Sequence, residues 1–250
     1  MSPVHAAAHE LMVHDSDGRN ATKIQSYSAV YRQLVRCGPG RIAYWAADSK
    51  RKSHIARTDI LTGATTALTE GPNDSEPTCN ADGSTLVFLR SGEKRDHSSL
   101  MRKSLESGQT VPLYELNMAT EGVNATTFAS PRFSPDGKTV LFWTLDGGNP
   151  YEWAASIPIE GGQAKHFKMP FSAGEVGWFQ WLPDGRSVLC ERHQNGVGNI
   201  WSVPFDGKAP SRITNFESDH IFAADVSPDN RLVISRGRNT SDVVLIKNVK

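Results

Sequence analysis

A short turn motif recurs along this chain at a nearly constant interval, and that periodicity restricts the fold more than any other feature. Ser134-Pro135-Asp136-Gly137 leads into Lys138-Thr139-Val140-Leu141-Phe142-Trp143. The pattern returns as Leu182-Pro183-Asp184-Gly185 before Arg186-Ser187-Val188-Leu189-Cys190-Glu191, and as Asn80-Ala81-Asp82-Gly83 before Ser84-Thr85-Leu86-Val87-Phe88-Leu89. Shorter copies are Ser227-Pro228-Asp229-Asn230 and the degenerate Gly38-Pro39-Gly40. Pro, Asp and Gly set a tight turn, and the β-branched and aromatic residues behind it suit a strand, so each copy predicts a hairpin.

A second turn follows each copy, ending at Gly18, Gly63, Gly108, Gly162 and Gly207, with successive spacings of 45, 45, 54 and 45 residues. No amphipathic helical pattern separates these turns. Four short strands in roughly 40–45 residues is the arithmetic of a propeller blade, whereas leucine-rich solenoids need a shorter period and helical repeats a 3.6-residue one. The predicted fold class is all-β: a β-propeller of four-stranded antiparallel blades with five repeat intervals.

Aligned copies give two columns. One stands just before the first turn (Cys37, Cys79, Phe133, Trp181, Val226), and the other lies within the following strand (Tyr44, Phe88, Phe142, Cys190, Ile234). Both are apolar throughout, as sheet faces packed on neighbouring sheets require. The three cysteines therefore read as buried small hydrophobes on separate blades, in preference to a disulfide, a metal site or a reactive thiol.

Residues 1–9 read as a disordered N-terminal segment and 10–250 as a single propeller domain. Glu10–His14 and Thr22–Gln25 take the positions of third and fourth strands, and Asp242–Ile246 that of another third strand. Two closures fit: five blades with the N-terminal strand completing the last, or part of a six-bladed ring within a longer parent protein. Lys plus Arg and Asp plus Glu are both 27, so the formal charge is zero, which argues against nucleic acid as a partner. A hydrophobic share of 38% and mean hydropathy of −0.42 predict a globular chain, with no apolar run of membrane-spanning length. An odd cysteine count and no visible signal peptide predict the cytoplasm, with the periplasm as the alternative if an upstream segment is missing.

The turns resemble those of TolB-like propeller repeats, which are related in shape to WD-repeat blades. The later stretch, Gly198-Asn199-Ile200-Trp201-Ser202-Val203-Pro204-Phe205-Asp206-Gly207 with Arg212-Ile213-Thr214-Asn215-Phe216 and Ser241-Asp242-Val243-Val244-Leu245-Ile246, is similar to the C-terminal propellers of bacterial serine/threonine kinases and of winged-helix regulators. The first two repeats depart from the family pattern, with Gly38-Pro39-Gly40 and Asn80-Ala81-Asp82-Gly83 in place of Ser-Pro-Asp-Gly. The resemblance implies a rigid scaffold for binding. One propeller hosts many functions, so the motifs speak for fold more than for activity.

Catalytic signatures are missing from the sequence. Gly196-Val197-Gly198 lacks the third glycine of a phosphate loop, and Phe205-Asp206-Gly207 reads as a hairpin turn. The Gly-x-Ser-x-Gly elbow of a prolyl-oligopeptidase-type hydrolase does not occur. His9 and His14 are five apart in a strand pattern, which sends them to opposite faces. The residues three before the first column, Leu34, Glu76, Ser130, Trp178 and Ala223, form no ring of like charge at a channel mouth. Tyr114–Asn124 accounts for the surplus of the long interval and reads as a loop, while Asp219 and His220 read as a solvated turn.

These features predict a non-catalytic binding or scaffold module of a bacterial signalling protein, with no catalytic, cofactor or metal residues and unassigned binding residues. Its expected partner is a protein or peptide, or a small ligand at the channel mouth. The alternatives are a TolB-like periplasmic interaction propeller, or the propeller of a prolyl-oligopeptidase-type peptidase.

Overall fold

The computed structural model describes residues 9–13, 19–20, 22–27, 32–47, 52–71, 73–92, 97–117, 130–144, 152–172, 174–227 and 229–238. They belong to two compact units, Met1–Met169 and Pro170–Lys250. Strands β1 (His9–Val13) and β2 (Thr22–Tyr27) pair antiparallel near the start of the first unit. The first blade is β3 (Arg32–Arg36), β4 (Arg41–Ala47), β5 (Ser53–Asp59) and β6 (Thr65–Ala67). The second is β7 (Asp74–Cys79), β8 (Thr85–Ser91), β9 (His97–Ser104) and β10 (Thr110–Asn117). The third is β11 (Arg132–Phe133), β12 (Thr139–Thr144), β13 (Trp153–Pro158) and β14 (Lys165–Lys168).

In the second unit a fourth blade comprises β15 (Val176–Trp181), β16 (Ser187–Gln194), β17 (Val197–Pro204) and β18 (Ser211–Arg212). A hairpin of β19 (His220–Val226) and β20 (Leu232–Gly237) follows it. Each blade is an antiparallel sheet with its strands in sequence order, and no helix occurs among the described residues. The chain has the all-β propeller fold that the repeat predicted, built on four-stranded blades. No helix among the described residues is long and apolar enough to cross a membrane.

Both apolar columns fall where the repeat placed them. The first closes the opening strand or, at Cys37, directly follows it, and the second lies mid-strand in β4, β8, β12, β16 and β20. Tyr44, Phe88, Phe142 and Cys190 are each 1% exposed or less. Leu100, Val87 and Leu89 of the second blade pack on Val140, Phe142, Ala155 and Ile157 of the third. Burying one such side chain contributes roughly 1.5–3 kcal/mol, so these faces carry much of the stability. The opening strands β3, β7, β15 and β19 each contain a register shift, the extra residue that steepens strand twist.

The repeated turn is stabilised by its own side chains. Ser134 Oγ donates to Asp136 Oδ1 at 2.6 Å and accepts from the Thr139 N–H at 3.0 Å, while Asp136 Oδ1 accepts from Lys138 N at 3.0 Å. These bonds hold the Asp136 carboxyl below the usual carboxylate range. In the second blade Asn80 Oδ1 replaces the serine and accepts from Thr85 N at 2.9 Å.

The cysteine reading needs correction. All three are buried, but Cys37 and Cys79 form a disulfide between the first and second blades, with Cα atoms 5.0 Å apart. Equivalent positions at the ends of β3 and β7 converge there, and two small side chains leave room for the backbones to meet. The turns after them are in direct contact. A Cβ on Gly83 would lie 2.6 Å from the Cys37 carbonyl oxygen, and Gly83 also has φ of 74°. Only glycine tolerates that backbone in that space. The two repeats that lack the Pro-Asp pair are thus the two whose turns press together beside the bridge. Cys190 is the free cysteine, and burial pushes its thiol up to about 12, which keeps it inert.

The Tyr114–Asn124 loop also needs revision, because β10 continues to Asn117 with a shift between Pro112 and Tyr114. Residues 118–124 of that segment, the 242–246 strand and His14 lie outside the described residues.

Candidate functional site

The second and third blades enclose a polar cleft of about 360 Å³ in the first unit. Arg102 and Ser104 reach it from β9, Gln109 from the β9–β10 turn and Val111 from β10. Asn80 and Thr85 line it from either side of the second blade's repeat turn, and Ile159 with Glu160 from the third blade's β13–β14 turn. Arg102 holds the two blades together here. Its Nη1 donates to the Ile159 carbonyl at 2.9 Å and to Glu160 Oε2 at 2.7 Å. The Glu160 side chain is 83% exposed against 28% for Arg102, so the acidic partner is a solvated group laid on a half-buried cation. An exposed pair of this kind contributes at most about 1 kcal/mol.

A second blade-to-blade contact involves two of the five residues that stand three before the first column. Glu76 Oε2 accepts from the Ser130 N–H at 2.6 Å, and both residues take left-handed φ values, 53° and 43°. The structure thus joins two of those five positions by a structural bond between neighbouring blades.

The second unit contains a different arrangement. Glu191 is 2% exposed and its Oε2 lies 3.1 Å from His193 Nε2. Two glycines make space for this carboxyl: a Cβ on Gly177 would come within 2.6 Å of Oε2, and one on Gly198 within 2.8 Å of Oε1. Burial pushes Glu191 up to about 7, with the Ile221 N–H partly opposing the shift. Burial, and then the charge of His220, hold His193 below its ordinary value. The His193 and His220 rings are 6.2 Å apart. A carboxylic acid beside a neutral imidazole can share and pass a proton near neutral pH. The described residues contain no group of three or more His, Cys, Asp or Glu side chains placed to hold a metal ion.

Asp219 does more than the solvated turn expected of it. Its carboxylate accepts from Arg238 Nε and from Arg236 Nη2 at 3.2 Å, and those arginines hold it below the usual range, Arg238 foremost. The pairing recurs from one blade to another, each time within a single sheet. Asp74 takes a two-pronged bond from Arg90 at 2.7 and 2.9 Å, and Glu175 pairs with Arg192 at 3.1 Å. In each case an acid entering the opening strand meets an arginine on the next strand, and the arginine also lies over an aromatic ring: Phe88, Phe171 or Phe216. His220 faces His193 as described.

Sequence reasoning missed both Glu191 and Arg102. Glu191 had a usable signal: one residue beyond the second column, the first three blades carry Trp45, Leu89 and Trp143, so a carboxyl there breaks an apolar position. The cleft had none, because its walls come from turns 80 residues apart, Asn80 and Glu160.

No protein-family model and no curated protein sequence matches the chain. Solved structures do resemble it. TolB from Acinetobacter baumannii superposes with a TM-score of 0.66 at 19% identity, covering 91% of this chain and 59% of that one. An oligogalacturonate lyase in complex with manganese gives 0.58 at 11% identity, covering 79% and 54%. A TolB-type protein from Agrobacterium tumefaciens gives 0.54 at 13% identity, covering 82% and 88%. The chain therefore spans less than two thirds of the first two. At these identities the likeness establishes the fold alone, and that fold is a TolB-like β-propeller.

Proposed function

We propose that this chain is a non-catalytic binding module that holds a protein or peptide against its blade edges. The observation that carries the reading is the cleft between the second and third blades, where Arg102, Ser104, Gln109, Asn80 and Thr85 converge on a scaffold held by apolar faces. Rigid scaffolds presenting a few convergent polar groups are the usual form of a recognition site. The TolB-like fold supports the same reading. An array of unrelated peptides, probed with the purified chain and followed by titration of the positives, tests it. Saturable binding by some peptides is expected, and a chain that binds none would overturn it.

Within this reading, the motifs at residues 198–216 and 241–246 favour a signalling parent such as a serine/threonine kinase. The coding sequence upstream of Met1 tests that assignment directly. The Cys37–Cys79 disulfide favours a second reading, an extracytoplasmic propeller, because such bonds persist in oxidising compartments. It also removes the cysteine argument for the cytoplasm. Alkylation of the chain denatured directly from cells without reductant distinguishes the two: one reactive cysteine favours an oxidising compartment, and three favour the cytoplasm.

A further inference from the structure

Arg102 is only partly used by its own chain. A guanidinium carries five N–H donors, and the two-pronged grip on a carboxylate uses two parallel ones. Here Nη1 makes both contacts, to the Ile159 carbonyl and to Glu160 Oε2. Among the described residues, Nε and Nη2 donate to nothing, and neither is a buried unpartnered atom. Around them the cleft offers further donors in the Gln109 amide and the Ser104 and Thr85 hydroxyls, with Val111 as an apolar wall. Among the described residues of the lining, Glu160 is the one carboxylate, and no lysine or second arginine is present. A site for phosphate groups gathers several cations, whereas a single arginine fork with amide and hydroxyl neighbours suits one carboxylate on a peptide.

The chain already shows that chemistry in cis. The Ile159–Glu160 turn presents a backbone carbonyl and an acidic side chain to Arg102, which is how an acidic peptide would present itself. We infer that the cleft between the second and third blades binds an aspartate or glutamate side chain of a partner peptide on the free edge of Arg102. The solvent-exposed Glu160 acts as a partial internal competitor. This inference rests on the binding-module reading and adds the chemistry of the partner.

The test uses the full chain and two blocked hexapeptides, acetyl-(Glu)6-amide and acetyl-(Gln)6-amide, titrated by isothermal calorimetry. Free glutarate serves as a control for a carboxylate without a peptide backbone. The glutamate peptide is expected to bind roughly tenfold tighter than the glutamine peptide and than glutarate. Arg102→Lys keeps the charge but loses the fork, and is expected to weaken the glutamate peptide roughly fivefold or more. Glu160→Gln, at a solvated position that leaves the fold intact, is expected to tighten it about threefold. Thermal melting of both variants confirms that they are folded. Equal binding of the two hexapeptides, no binding of either, glutarate binding as tightly as the glutamate peptide, or affinities indifferent to both substitutions would each overturn the inference. If the unrelated-peptide array still yields binders in those cases, the module reading stands and only the carboxylate assignment falls. An empty array removes both.

Discussion

Two blade junctions of this molecule solve the same packing problem in opposite ways. Between the first and second blades, Cys37, Ala43, Ile55 and Leu68 meet Cys79, Leu86 and Phe88, and a disulfide closes the apolar seam. Between the fourth blade and the β19–β20 hairpin, Leu189, Ile200 and Ile221 meet, with a buried carboxyl, Glu191, set beside them. The register position is the same, since Glu191 stands where Trp45, Leu89 and Trp143 stand in the other blades. The repeat dictates a filled position at the junction, and its chemistry varies with what the neighbour requires. A covalent, apolar seam is indifferent to pH, whereas a buried acid and imidazole make stability titratable.

Breaking the covalent seam has the largest expected effect. The bridge spans a sequence separation of 42 residues. Chain-entropy reasoning for such a loop gives about 3–4 kcal/mol, so Cys37→Ala with Cys79→Ala lowers the stability of the first unit by that amount in denaturant unfolding. Dithiothreitol reproduces the loss in the native chain and changes nothing in the double variant.

At the titratable junction the expected effect is somewhat smaller and opposite in sign. Glu191 is raised from 4.5 to about 7, so the folded protein retains a proton that the unfolded chain releases between those values. Its contribution is fully present below pH 4.5 and is lost as the pH rises through 7. Glu191→Leu, which restores the apolar position, is expected to gain roughly 2–3 kcal/mol at pH 8 relative to the native chain. His193 works the other way. Its value lies below 6.5, so its contribution is present above 6.5 and is lost on acidification through the lowered value. Once Glu191 is gone, stability measured by urea unfolding should therefore rise towards pH 6.5 from the acid side. An unchanged pH profile in the variant would show that the carboxyl does not titrate in this range.

The turn contact beside the disulfide sharpens the comparison further. Gly83→Ala places a methyl group 2.6 Å from a carbonyl oxygen at a positive φ, at an expected cost of about 2 kcal/mol by thermal unfolding. Gly207→Ala has the same backbone sign, φ of 80°, but no neighbour within 4 Å, and is expected to cost about 1 kcal/mol. The difference isolates the close approach of the two turns. Smallest of all, Ser134→Ala removes the hydroxyl that caps the third blade's turn and is expected to cost roughly 0.5–1 kcal/mol.

The propeller class, the blade content, the positions of the hairpins and both apolar columns follow from the chain alone. Turn chemistry and strand alternation act over a few residues, and the repetition of a weak local signal makes it strong. Even Glu191 was readable there, as a charge at an apolar register position. The disulfide and the Arg102 cleft belong to tertiary structure. Cys37 meets Cys79, and Arg102 meets Ile159 and Glu160, because neighbouring sheets bring residues distant in sequence side by side. A periodic pattern specifies what each blade is made of; which side chains touch across a junction depends on how closely two backbones approach, and that distance is set by packing.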